Sequence, residues 1–141
     1  MNSNPRFTTG WLEITQTMID QFAALTGDPQ AIHSDPVAAA AAGFEAPIAH
    51  GFLTLSLLTR FYNEAVPAPD LPGAQINYGF DKLRFLAPVP AGSRIRAQFE
   101  LAESSQTSSH LARRFVVTIE IEGRVKPALI ADWLTRVYPT R

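Results

Sequence analysis

The segment GFLTLSLLTRF, residues 51–61, decides the fold of this chain. Its apolar side chains occupy most of the circumference of a helix, whereas a surface helix shows a single apolar stripe. A helix with this pattern has to be enclosed by the rest of its own domain. We therefore expect a long central helix, surrounded by structure that other parts of the sequence supply.

Four segments that follow the helix have the character of strands: residues 76–85, 95–101, 115–121 and 129–137. In the second and third, apolar residues alternate with polar ones at a period of two. This period is typical of antiparallel strands with one buried and one solvated face. The sequence thus predicts an α+β architecture, in which a curved antiparallel sheet wraps around the central helix.

The composition limits the classes of function. With 141 residues, of which 46% are hydrophobic, residues 1–141 form a single domain. Twelve basic residues balance 13 acidic ones without runs of like charge, so nucleic acid and anionic membranes are not expected partners. The chain has no cysteine, which excludes disulfides, thiolate metal sites and a cysteine nucleophile.

No targeting segment is apparent in the sequence. Residues 1–10 lack the basic start and apolar run of a secretory signal, and no apolar stretch reaches the length of a membrane span. We expect a soluble protein of the cytoplasm.

Two short helices precede the central one. Thr15 is placed to cap a helix with an apolar face formed by Met18, Ile19, Phe22 and Leu25, and Gly27 and Pro29 end it. Asp35 and Pro36 form the start of an alanine-rich helix over residues 37–42, which stops at Gly43. The turn between these helices carries Asp28 and His33.

Asp28 and His33 are the candidate catalytic residues. A carboxylate and an imidazole in one short turn can converge on a single water molecule, and such a pair can move a proton near neutral pH. Taken singly, each has a structural interpretation, since Asp28 lies in a Gly-Asp-Pro turn and loop histidines often serve as hydrogen-bond partners. Their occurrence together, ahead of an enclosed helix, favours catalysis.

Two stretches carry a resemblance to a known family. TGDPQAIHSDP, residues 26–36, and PIAHGFLTLS, residues 47–56, resemble the hydratase signature of the MaoC-like dehydratases, the (R)-specific enoyl-CoA hydratases. Residues 77–93 resemble the NodN-like branch of that family. Together the matches run from about residue 15 to about residue 97.

The resemblance implies a hot-dog fold, a homodimer, and reversible hydration of trans-2-enoyl-CoA to (R)-3-hydroxyacyl-CoA. Asp28 and His33 match the catalytic pair of the family, Gly51 matches the backbone amide that holds the thioester carbonyl, and Ser56 matches a supporting hydroxyl. The usual Asn and Pro of the family are Gln30 and Ala31 here. No separate cofactor is implied, because coenzyme A is part of the substrate.

The chemistry assigns roles to the same residues. The Asp28 carboxylate serves as general base while the His33 imidazole orients the water. Unpaired amides at the start of the Gly51 helix suit an enolate oxygen, and glycine permits close approach of a substrate. His50 and Gln30 are further candidates for substrate binding, although His50 could equally satisfy the helix start, and Ser56 could bond a carbonyl of the preceding turn.

Three alternatives stay open at the level of sequence. Asp28, His33, Asp35 and His50 are oxygen and nitrogen ligands of the kind that bind zinc or iron, although a hydration needs no metal, and we expect none. A hot-dog thioesterase would use the same thioester, with water attacking its carbonyl carbon. A non-catalytic acyl-thioester binding subunit would keep the fold without turnover. The acyl chain and its carrier, coenzyme A or acyl carrier protein, are not determined.

Overall fold

A computed structural model describes residues 3–141 and shows six strands packed with four α-helices. A single 3-10 turn, Ala31–His33, lies between the first two helices. The helices are α1 (Gln16–Thr26), α2 (Pro36–Ala41), α3 (Gly51–Ser56) and α4 (Leu58–Ala65). The strands are β1 (Arg6–Thr8), β2 (Leu12–Glu13), β3 (Gly73–Phe85), β4 (Arg94–Gln106), β5 (Leu111–Ile121) and β6 (Leu129–Pro139).

The strands form one antiparallel sheet in the order β1-β4-β5-β6-β3, with β2 also paired to β4. The predicted α+β architecture is confirmed, with all four predicted strands present as β3 to β6. The sequence did not indicate β1 and β2, because strands of three and two residues are too short to show alternation. At the opposite edge β3 pairs with β6 alone among the described residues, so one of its sides is open.

The sheet has one buried and one solvated face, as the alternation predicts. In β4, Ile95, Ala97 and Phe99 are buried, whereas the residues between them face outward. On the outer face Arg96 pairs with Glu120 at 2.5 Å. Arg94 similarly hydrogen-bonds Glu122, and this bond lowers the pKa of the Glu122 carboxyl below its ordinary value.

The predicted central helix is present, but it is interrupted. α3 ends at Ser56 and α4 begins at Leu58, with Leu57 between them, and both helices pack on the inward face of the sheet. Next to the break, the Ser56 hydroxyl donates to the carbonyl of Leu53 at 2.8 Å, a side-chain bond that competes with the helical ladder. The prediction that the whole helix is enclosed was wrong, because Leu58 is buried but Phe52 is 69% exposed.

Aromatic rings join the helix to the sheet. Tyr62 of α4 meets Phe115 of β5 and Trp133 of β6 edge-on, with ring centroids 5.6 and 5.7 Å apart. Phe61 and Phe99 are also fully buried in this core. Edge-to-face pairs of this kind add to the free energy of burial, so α4 is the part of the helix that the core holds most firmly.

The boundaries of the first helices agree with their predicted caps. Thr15 Oγ1 accepts from the amide of Met18 at 3.2 Å, and Gly27, with φ of +70°, ends α1 in the left-handed conformation. The Asp35 carboxylate accepts from the amide of Val37 at 2.9 Å, and α2 begins at Pro36, which confirms the predicted cap and the proline at the first helical position. The prediction for Leu25 was wrong, because this side chain is 83% exposed.

None of the helices described over residues 3–141 has the length and apolar character needed to cross a membrane.

Two leucines test which helical positions stabilise the core. Leu58 is 3% exposed in α4, and Leu25 is 83% exposed in α1. We expect Leu58→Ala to lower the free energy of unfolding by about 2–5 kcal/mol, because it removes buried apolar atoms and leaves a cavity. Leu25→Ala, the matched control, should change it by less than about 0.5 kcal/mol. Urea denaturation measures both values, and equal losses would contradict the assigned packing.

Candidate active site

Two loops bring Asp28, His33 and His50 together. Asp28 follows the left-handed turn at Gly27, His33 ends the 3-10 turn, and His50 immediately precedes α3. One carboxylate oxygen of Asp28, Oδ2, lies 3.9 Å from Nε2 of His33 and 3.9 Å from Nε2 of His50. The predicted pair therefore converges, and a second imidazole joins it.

A backbone carbonyl fixes the orientation of His33. Its Nδ1 lies 2.7 Å from the carbonyl oxygen of Ile48. Because a carbonyl oxygen only accepts, Nδ1 carries the hydrogen, and Nε2 of the neutral ring is left as an acceptor. That acceptor is the atom nearest to Asp28. The local fold thus directs a basic imidazole nitrogen and a carboxylate oxygen at the same small space.

A second backbone carbonyl fixes the orientation of His50. Its Nε2 donates to the backbone carbonyl of Asp28 at 3.2 Å, whereas its buried Nδ1 has no hydrogen-bond partner among residues 3–141. The imidazoles of His33 and His50 stack with centroids 3.7 Å apart and planes 23° apart.

The distance between Asp28 and its two histidines has a chemical consequence. At 3.9 Å the groups are too far apart for a direct hydrogen bond, and the gap suits one bridging water. The histidine side chains are buried, but that of Asp28 is 40% exposed. The carboxylate is thus the member of the cluster that a bound molecule reaches first.

The cluster lies in an open cavity of about 550 Å³. This volume is within the range of small-molecule sites. Aromatic rings form much of its wall, and Phe52 meets Phe85 edge-on with centroids 6.1 Å apart. The lining residues are Phe22, Thr26, Asp28, His33, His50, Gly51, Phe52 and Phe85.

Sequence reasoning did not assign Phe22, Thr26, Phe52 or Phe85 to the site. Phe22 belongs to the apolar face predicted for α1, and Phe52 was expected to be enclosed. Phe85 ends β3, far along the chain from the catalytic turn, and reaches the cavity only through the pairing of β3 with β6. No local pattern could have assigned it.

Gly51 lines the cavity at the first position of α3. A Cβ atom added here would lie 2.9 Å from Cδ1 of Phe85, so a larger residue would displace that ring. The backbone N–H groups of Gly51 and Phe52 make no bond to another part of the described chain, as is usual for the first turn of a helix. These donors are available to a ligand.

The other predicted residues lie outside the cluster. The Ser56 hydroxyl is engaged with Leu53, and Ser56 does not line the cavity. The side chain of Gln30 is exposed and lines a neighbouring depression, but its backbone amide approaches the Asp28 carboxylate at 3.5 Å. Asp35 caps α2, so it stands apart from the three groups that converge.

Comparison with known proteins places the chain in a family. The family described as "MaoC like domain" matches residues 3–121. Nodulation protein N of Rhizobium leguminosarum bv. viciae is 44% identical over 127 residues, which cover 89% of this chain and 79% of that protein. The 3-hydroxyacyl-thioester dehydratase Z of Mycobacterium tuberculosis is also 44% identical over 127 residues, with coverage of 89% and 83%.

Solved structures agree with the sequence relatives. The (R)-hydratase from A. caviae involved in PHA biosynthesis superposes with a TM-score of 0.78 at 23% identity, covering 97% of each chain. A monoamine oxidase regulatory protein from Archaeoglobus gives 0.81 at 23% identity, covering 100% of this chain and 93% of the other. The predicted hot-dog fold is confirmed, and the chain belongs to the MaoC-like domain family of hydratases and dehydratases.

Proposed function

We propose that this protein is a hydro-lyase that adds water reversibly to trans-2-enoyl thioesters and yields (R)-3-hydroxyacyl thioesters. The observation that carries the proposal is the convergence of the Asp28 carboxylate and Nε2 of His33, which lie 3.9 Å apart at the wall of an open cavity, so that one water beside them can bond to both. Relatives named as 3-hydroxyacyl-thioester dehydratase and (R)-specific enoyl-CoA hydratase support the reaction class.

The first step forms the carbon–oxygen bond. A water bound beside this pair, on the cavity side, donates hydrogen bonds to Asp28 and to Nε2 of His33, and the carboxylate takes one of its protons. The resulting hydroxide oxygen adds to the β carbon of the enoyl group. The electron pair of the double bond moves toward the thioester carbonyl, which becomes an enolate.

The second step returns the proton. The proton held on Asp28 passes to the α carbon, so that the elements of one water are added and the carboxylate is regenerated. The negative charge of the enolate oxygen is held by the backbone amide of Gly51, in the role that the family resemblance implies. Oxyanion donors of this kind typically contribute about a hundredfold or more to the rate.

His50 acts as a positioning residue. Its Nε2–H holds the backbone carbonyl of Asp28, and its ring stacks on His33. Both contacts limit the movement of the catalytic pair, and precise placement of this kind contributes strongly to rate. Gln30 contributes through its backbone amide near the Asp28 carboxylate.

The functional unit we propose is a homodimer. The open edge of β3 is 13 residues long, and Ile76, Tyr78 and Phe80 on this strand are exposed apolar side chains. A long unpaired edge of this composition is a site of association, and pairing with a second copy would satisfy its backbone groups. Phe52 and Phe85, at the catalytic cavity, extend the exposed apolar surface.

Substitution of the catalytic pair tests the reaction. We expect Asp28→Asn and His33→Ala each to lower hydration of trans-2-enoyl-CoA by about a hundred- to ten-thousand-fold, because the base or the group that orients the water is lost. Loss of the conjugated-thioester absorbance measures the rate, and chiral analysis of the product measures its configuration. Asp70→Asn and His110→Ala, at residues that do not line the catalytic cavity, are the matched controls.

Other outcomes would exclude the proposal in different ways. Release of free thiol without loss of the enoyl absorbance would indicate a thioesterase. Binding of acyl-CoA without turnover, unchanged by either substitution, would indicate a non-catalytic binding subunit.

Sedimentation equilibrium tests the dimer. We expect a species of twice the 15.5 kDa mass of the chain, because the β3 edge is left unpaired in the single chain. A single species of 15.5 kDa at micromolar concentration would contradict it.

The cluster also resembles a metal site, since ligand atoms of Asp28, His33 and His50 lie within 4.8 Å of one another. We expect less than stoichiometric metal in the purified protein, because Nε2 of His50 already donates to a carbonyl and cannot ligate without losing that bond. Elemental analysis measures the content, and treatment with a chelator should leave hydration unchanged. Stoichiometric zinc or iron that disappears in His33→Ala would establish a metal centre instead.

A further inference from the structure

Arg113 is a buried cation that the proposed reaction does not use. It lies on the inward face of β5 and is 8% exposed, and none of the ion pairs described over residues 3–141 includes it. Its Nη2 donates to the hydroxyl of Tyr62, but its buried Nε has no hydrogen-bond partner in the same residues. The rings of Phe115 and Tyr62 lie 5.0 and 5.8 Å from the guanidinium carbon. These contacts leave the positive charge without an anion, which is costly in a protein core.

A second unpartnered polar group lies beside it. Thr135 of β6 is the register partner of Arg113, and its side chain is 1% exposed with Oγ1 unbonded within the described chain. Thr135 is in turn the partner of Asn77 on β3. Partnered residues on neighbouring strands project from the same face, so Arg113, Thr135 and Asn77 form a polar row across three strands.

Asn77, the outer member of the polar row, lines a cavity of about 540 Å³ between α4, β3 and the segment that joins them, and Tyr62, which accepts from Arg113, lines it as well. Tyr62, Asn63, Gln75 and Asn77 contribute polar groups to its wall, and no acidic residue lines it. The Tyr62 hydroxyl stands between this space and the guanidinium. A negatively charged group entering the cavity would thus meet hydrogen-bond donors backed by an uncompensated positive charge.

In a single chain this polar cavity shares no lining residue with the catalytic cavity. A dimer changes the relation between them. β3 runs from Gly73 to Phe85, and if the proposed homodimer paired β3 about its middle residue, Gly79, Phe85 would lie opposite Gly73 of the partner subunit. Phe85 lines the catalytic cavity and Gly73 lines the polar one. The two-fold axis keeps both cavities on the same face of the joined sheet.

We propose that the acyl chain of the substrate extends from Gly51 of one subunit into the polar cavity of the other, and that its far end carries a carboxylate bound by Arg113 and Tyr62. The inference rests on the proposed hydratase reaction and adds the substrate class. With this pairing Asn77 of the partner subunit lies opposite Asp81, so the path from Phe85 to Arg113 of the partner subunit crosses three strand spacings and four residues along β3. The distance is about 20 Å, which corresponds to a chain of roughly sixteen carbons.

Two thioesters of equal length test the assignment: trans-2-hexadecenedioyl-CoA, which ends in a carboxylate, and trans-2-hexadecenoyl-CoA, which ends in a methyl group. We expect the wild-type protein to prefer the carboxylate by about tenfold or more in kcat/KM, the effect of one charge-assisted hydrogen bond. Arg113→Met should abolish or reverse the preference, and Arg113→Lys should retain part of it. A role in folding alone would lower both rates and leave their ratio unchanged.

The neighbouring arginine supplies the control. Arg114 projects to the outer face, where it pairs with Glu103 at 3.1 Å and Asp132 at 3.8 Å. Arg114→Met should leave the ratio of the two rates unchanged. If Arg113→Met fails to fold, Arg113→Lys and Tyr62→Phe carry the test, since each alters the proposed contact with a smaller change in volume.

The inference and the proposed function fail in distinguishable ways. Equal rates for the two thioesters, a preference for the methyl end, or a ratio that Arg113→Met does not change would overturn the carboxylate site and leave the hydratase in place. Absence of hydration with either compound would overturn the hydratase. In that case, calorimetric binding of saturated hexadecanedioyl-CoA and hexadecanoyl-CoA to the wild type and Arg113→Met still decides the site, because it needs no turnover.

Discussion

Two backbone carbonyls, each bound by a buried histidine, are the constraint on which the site depends. Ile48 accepts from Nδ1 of His33, and Asp28 accepts from Nε2 of His50. The first bond leaves a basic nitrogen directed at the Asp28 carboxylate, and the second holds the chain that carries this carboxylate. Because the imidazoles also stack on each other, no member of the cluster can move far without breaking a contact of another.

The sheet supports the helices that carry the cluster, but it leaves part of the surface beside the cluster uncovered. Tyr62 and Phe61 pack α4 firmly into the core. The start of α3 is exposed to solvent, with Phe52 beside the candidate catalytic cavity. β3 adds an unpaired edge to the same surface. An apolar opening next to a free strand edge is a surface that the proposed homodimer would cover, and in that proposal assembly and substrate binding use the same surface.

The two cavities differ in the polar groups that surround them. The candidate catalytic cavity brings Asp28 Oδ2 and His33 Nε2 within 3.9 Å of each other, and its walls are mainly aromatic. The second cavity contains amide and hydroxyl groups in front of the buried Arg113, which has no acidic partner in the described chain. A buried charge without a counter-charge lowers the stability of the folded protein. Binding of an anionic ligand would offset that cost.

The sequence by itself determined the features that depend on neighbouring residues. The caps at Thr15 and Asp35, the alternation in β4, and the placement of Asp28 and His33 in one turn all follow from local hydrogen bonding and from the period of a strand. Tertiary structure alone decided which surfaces meet. It turned Leu25 to solvent, brought Phe85 to Gly51, and buried Arg113 beside Thr135. These contacts depend on strand pairing and helix packing between distant segments, and no local pattern encodes them.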